Sequence, residues 1–139
     1  MVDKIFLLYD FWYDVKCVLS YLLIDVADVP DKPRGPLEVS NVTETSADLQ
    51  WKAPNSDGGS PLTSYLIATR QSSRSTWTKA GSVDAKTTKF TVPDLSVGTE
   101  YNFRVIAVNA EGQSAPLEGK DTAKPVKKIG KYHNFLFSW

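Results

Sequence analysis

A chain of 139 residues has the length of one domain and is large enough to bury a core. Its 16 basic residues balance 16 acidic ones to a formal net charge of zero, and they are scattered, so no electrostatic case exists for nucleic acid or for an anionic membrane surface. Cys17 is the only cysteine, which excludes an internal disulfide and a disulfide-stapled secreted scaffold, and favours a reducing compartment.

Residues 1–28 form an apolar extension. About three-quarters of the first 27 are apolar or aromatic, with neither Gly nor Pro. Ile5, Leu8, Trp12, Val15, Leu19, Leu22 and Val26 recur at alternating steps of three and four, the spacing of a helix. Phe6, Leu7, Phe11, Val18, Leu23 and Ile24 put apolar groups on the other faces, so the polar face is poor. Asp10, Asp14, Lys16 and Asp25 interrupt the run. The clean stretch from Cys17 to Ile24 falls far short of the ~20 residues that cross a bilayer, and no membrane span is expected. A secretory signal wants a basic start and small residues before its cleavage point, whereas Val2-Asp3-Lys4 is neutral and Asp25 stands close to the cut. Three readings stay open: a signal or anchor, a helix packed on a partner, and an extension foreign to the domain. The tail, residues 126–139, leaves the same question open at the other end.

The domain is expected over residues 29–125. Pro30, Pro33 and Pro36 fix φ and remove donors, as in an extended linker running into an edge strand. Leu37, Val39 and Val42 supply the first apolar contacts, and Thr43 to Ser46 reads as a turn. Ala47, Leu49 and Trp51 then alternate with Asp48 and Gln50, a short strand. Lys52 to Thr63 is a loop on composition, with Pro54, Asn55, Asp57, Gly58, Gly59 and Pro61 as turn formers. Tyr65, Ile67 and Thr69 alternate with Leu66, Ala68 and Arg70 in a third strand. A fourth is predicted from Trp77 to Val83, and a fifth from Lys89 to Val92, stopped by Pro93. The most regular strand follows Thr99: Tyr101, Phe103, Val105, Ala107 and Asn109 share one parity, facing a core. Glu111-Gly112 then turns the chain back. Strands about every ten residues, without helical period, mark an all-β antiparallel sandwich or barrel.

The ordered set Pro33-Arg34-Gly35-Pro36, Trp51, Asp57 to Tyr65 (D-G-G-S-P-L-T-S-Y), Trp77, Leu95 to Tyr101 (L-S-V-G-T-E-Y) and Asn109 to Ser114 (N-A-E-G-Q-S) resembles a fibronectin type III domain. The resemblance covers about residues 29 to 125 and neither end. It implies a seven-stranded immunoglobulin-like β-sandwich of two sheets with Greek-key connections. It places Trp51, Tyr65, Ile67, Leu95, Tyr101, Phe103 and Val105 in the structural core. Tyr101 matches the tyrosine corner, whose hydroxyl bonds backbone near the preceding turn. Val97 stands where the family often has proline. The D-G-G-S-P loop and the G-P-L-E-V opening are similar to the subtype of giant muscle proteins such as titin, twitchin and projectin.

No constellation for catalysis is present, so the chain is read as not an enzyme. His133 is the only histidine and has no carboxylate or cysteine motif around it. Cys17 lacks companions at metal spacing, and Asn55 to Gly59 reads as a turn because no distal Glu follows as in a calcium loop. No cofactor or metal is expected. Asn41-Val42-Thr43 is a sequon, making Asn41 a glycosylation acceptor only if the chain is secreted. Arg34-Gly35-Pro36 is not the integrin tripeptide.

The resemblance implies a non-catalytic structural and protein-interaction module, one repeat of a sarcomeric scaffold, located in the cytoplasm at the myofibril. Its partners would be neighbouring immunoglobulin or fibronectin type III domains, with myosin or other filament proteins. Arg70, Arg74, Lys79 and the loop from Lys52 to Thr63 are the candidate contacts. The alternative is an extracellular adhesion or receptor ectodomain, favoured by the apolar start and by the sequon.

Overall fold

The computed structural model describes residues 27–129. The expectations for residues 1–26, the helical spacing and Cys17 among them, and for His133 in the tail lie outside the described residues.

Every regular element within that range is a strand: β1 (Arg34–Ser40), β2 (Ala47–Lys52), β3 (Leu62–Gln71), β4 (Thr78–Asp84), β5 (Lys89–Val92), β6 (Tyr101–Asn109), β7 (Gly112–Gln113) and β8 (Leu117–Glu118). They form two antiparallel sheets. One runs in the order β1-β2-β5, and the other runs β4-β3-β6-β7 with β8 also paired to β6. Trp77 lies just before β4 rather than opening it, and β3 begins earlier than Tyr65 because Leu62 already pairs with Asn109.

The eight segments are a seven-stranded sandwich whose last strand is broken. Ser114 donates its amide to the Ala107 carbonyl at 2.8 Å, but the Ala107 amide donates back to the Ser114 hydroxyl at 3.0 Å instead of to a carbonyl. Pro116 has no N–H to offer the ladder. Beyond the break the chain rejoins β6: the Gly119 amide donates to Phe103, and Tyr101 and Ala123 exchange bonds at 2.8 and 3.0 Å.

The period-two pattern decides what is buried. Along β6, burial alternates without exception from Tyr101 to Asn109, because one face of the strand meets the opposite sheet. Trp51, Tyr65, Ile67, Leu95, Tyr101, Phe103 and Val105 are each no more than 6% exposed, and Leu37, Leu49, Val92, Ala107 and Ala123 complete the same core. The Trp51 and Tyr65 rings meet edge to face, 5.5 Å apart and 67° between planes, the offset geometry favoured by aromatic quadrupoles. At the open side of the sandwich Gly81 of β4 faces Phe90 of β5, and a Cβ on Gly81 would stand 2.5 Å from the ring.

Candidate functional site

Among the described residues no group of three or more His, Cys, Asp or Glu side chains is placed to hold a metal ion, and no helix is long and apolar enough to cross a membrane.

The incoming chain is fastened at one pole. Asn109 ends β6 on its buried parity and is 4% exposed. Its Nδ2 donates to the carbonyls of Asp28 at 2.7 Å and Asp57 at 2.8 Å, while its Oδ1 accepts from the amides of Glu111 at 2.9 Å and Gly112 at 3.1 Å. Both amide hydrogens and both lone pairs are thereby used, which is what makes burial of the group tolerable. Two backbone bonds, Asp28 N to Gly58 O at 2.8 Å and Asp31 N to Ser56 O at 3.1 Å, lay the linker along the β2–β3 loop. Gly58 is required twice over, since its φ is +77° and a Cβ there would collide with the Asp28 carbonyl oxygen. The residues of the Lys52 to Thr63 loop therefore hold the chain's own linker. Sequence reading placed Asn109 on the core parity but assigned it no role. The available signal was a polar side chain on an otherwise apolar buried face.

The outgoing chain is fastened at the other pole. The Gly98 amide donates to the Pro125 carbonyl at 2.8 Å, and the Lys128 amide donates to Glu44 Oε1 at 3.0 Å. Beside them the Tyr101 hydroxyl accepts from the Ser96 amide at 3.1 Å, the corner bond to the preceding turn. Burial pushes this phenol up, but hydrogen bonds at Ser96, Gln71 and Thr99 outweigh it and hold the group below the ordinary tyrosine value. Val97, the residue in place of proline, is exposed.

Asn41 is exposed and has a φ of +45°. Its Nδ2 donates to Asp48 Oδ2 at 3.0 Å, and Thr91 Oγ1 donates to Asp48 Oδ1 at 2.6 Å. A glycan at Asn41 would share the nitrogen that makes this bond. Thr43, the third sequon residue, accepts at Oγ1 from the Ser46 amide at 2.9 Å and so closes the β1–β2 turn. Of the cationic side chains singled out in the sequence, Arg74 and Lys79 are exposed, whereas Arg70 is half-buried against Trp77.

Two antiparallel sheets packed over an aromatic core, with the chain leaving from opposite poles, define an immunoglobulin-like β-sandwich module. The family description "Fibronectin type III domain" matches residues 31–120, and the chain belongs to that family. It is 40% identical to Titin of Drosophila melanogaster over 108 residues, covering 78% of this chain and 1% of that protein. It is 32% identical over 110 residues to cardiac-type Myosin-binding protein C of Mus musculus, covering 79% of this chain and 9% of that protein. Among solved structures, domains A168–A170 from titin match at 40% identity with a TM-score of 0.67, over 74% of this chain and 34% of that one. The twitchin kinase region of C. elegans matches at 31% identity with a TM-score of 0.66, over 75% of this chain and 18% of that one. The chain thus spans a small fraction of each relative.

Proposed function

We propose that this chain acts as a non-catalytic structural and protein-interaction module, one repeat of a titin-like scaffold in the sarcomere. Residues 29–125 form the module. The observation that carries the reading is the fastening of the segments that enter and leave the sandwich at opposite ends of β6, Asp28 at Asn109 and Ala123 at Tyr101. A nine-residue strand spans about 27 Å from first to last Cα. Tension entering at one pole therefore passes into a strand bonded along its length to β3 and to the last strand, and leaves at the other pole. Such a module spaces and orients its neighbours by its shape alone. The identity to muscle scaffold proteins supports the same reading, and partners are neighbouring domains and filament proteins such as myosin.

In this setting Asn41 keeps its bond to Asp48 and carries no glycan. Immunogold labelling of muscle with an antibody against residues 27–129 should give periodic bands within myofibrils. Labelling confined to the cell surface, or an intact mass of the native protein that includes a sugar on Asn41, would overturn the proposal.

A further inference from the structure

The outer face of the second sheet carries a stack of one indole and two guanidiniums. Trp77 is stacked with two arginines: the guanidinium carbon of Arg104 is 4.5 Å from the indole ring centre and that of Arg70 is 5.1 Å away. A guanidinium within about 6 Å of an indole face is held by the ring quadrupole. The Nε atoms of both arginines are buried without a hydrogen-bond partner, so pairing with a partner's carboxylates falls to the Nη groups. Arg70 Nη1 reaches the Arg74 carbonyl at a long 3.4 Å.

The register explains how the three side chains meet. Ala68 pairs with Arg104 on one side and with Lys79 on the other. It is 8% exposed although its parity faces outward, and its small side chain leaves room for the indole. Arg104 in turn pairs with Glu118 of β8. Arg70, Lys79 and Arg104, with Arg74 in the adjoining turn, thus share a face on which the register places two carboxylates, Glu118 beside Arg104 and Asp84 opposite Ser64 at the far end of β4. The chain as a whole is neutral, so this excess is local. In the next row along the same face Leu66 pairs with Ile106, both half-buried.

We propose that the β4-β3-β6 face is a docking surface for an acidic segment of a partner protein. Carboxylates would pair with the Nη groups of Arg70 and Arg104, and an aliphatic side chain between them would cover Leu66 and Ile106. Planar guanidiniums already fixed by stacking lose less freedom on pairing with carboxylates than free ones would. An acidic polypeptide fits better than nucleic acid because the cations are flanked by aliphatic groups and do not extend along a groove. The inference rests on the reading of the chain as a protein-interaction module, though not on its membership of an array.

The test is a titration of the full 139-residue chain with a short peptide of repeating Glu-Glu-Leu, followed by nitrogen–proton NMR. The Trp77 indole N–H and the amides of β3, β4 and β6 should shift saturably. Arg104→Gln should weaken binding about two- to fivefold, and Glu118→Gln should strengthen it by up to about the same factor, as single surface charge pairs do. Glu118 lies on an exposed position, so the second variant remains informative should the first loosen the fold. The proposal falls if no resonance on this face moves, if Glu118→Gln binds no more tightly, or if a Lys-Lys-Leu peptide or a single-stranded oligonucleotide binds as well. Failure here leaves the myofibril labelling untouched, so the two ideas fail separately.

Discussion

Asn109 donates to the carbonyl of Asp28 at 2.7 Å across 81 residues of chain, fastening the incoming linker to the far end of β6. The same nitrogen holds the Asp57 carbonyl of the β2–β3 loop, so one buried amide joins three segments. Asn109→Ala leaves those carbonyls without their donor, and the expected loss of stability is about 1–3 kcal/mol, read from chemical denaturation. The amides of Asp28 and Asp31 should exchange with solvent faster, while those of β2 keep their protection. Unchanged exchange at Asp28 would show that the backbone bonds to Gly58 and Ser56 suffice.

Trp51 fills the centre of the core at 2% exposure, yet its Nε1 has no hydrogen-bond partner. Ring volume and ring polarity therefore act in opposite directions. Trp51→Ala should cost about 3–5 kcal/mol, most of a small domain's stability. Trp51→Phe retains an aromatic ring against Tyr65 and removes the unpaired N–H, so its loss should be well under half of that. A melting series of the two variants separates them, and equal losses would mean that packing shape, not polarity, governs the site.

Gly81 and Phe90 close the gap between the two sheets. A methyl group on Gly81 would meet Phe90 Cζ at 2.5 Å, and with both backbones held by pairing, β4 to β3 and β5 to β2, it is the Phe90 ring that must turn aside. Gly81→Ala is expected to destabilise the fold by about 1–3 kcal/mol. In a Phe90→Leu background the added penalty should shrink, giving a favourable coupling in a double-mutant cycle. Additive losses would place the strain elsewhere.

Asp48 links pH to stability on the first sheet. Hydrogen bonds from Thr91 and then Asn41 hold its carboxyl below the ordinary value, with a smaller contribution from Lys89, and these outweigh partial burial. A depressed folded-state pKa means that the carboxylate stabilises the fold above the ordinary carboxylate range, near pH ~4, and that this contribution is lost as pH falls through the folded value. Asp48→Asn should flatten the acid limb of a melting-temperature profile. Wild type and variant should converge at the lowest pH and differ most near neutrality; parallel profiles would show that other carboxylates carry the dependence.

Much of the fold was legible because a strand's side-chain period is two and its turns have distinct chemistry. Alternation through Tyr101, Phe103 and Val105 identified β6 and its inward face, Pro93 marked the end of β5, and the Asp57-Gly58-Gly59 run marked the loop between β2 and β3. Less legible were features whose meaning comes from a second segment far away. The break in the last strand depends on the Ser114 hydroxyl standing in for a carbonyl opposite Ala107, which no local pattern announces. That Arg70, read as a candidate surface contact, is half-buried against Trp77 was not legible either, because the second arginine of the stack comes from β6.

What the amino-acid order determined alone was local: extended segments, their inward faces, their turns, and a family likeness carried by Trp51, Tyr101 and the loop between β2 and β3. Tertiary structure decided the rest, namely that Asn109 grips Asp28, that Gly81 yields to Phe90, and that Arg70 and Arg104 both stack on Trp77. The physical reason is that periodicity and turn propensity act over a few residues. Hydrogen bonds, sterics and cation–π contacts act over a few ångströms, and only the register of two sheets says which distant residues come that close.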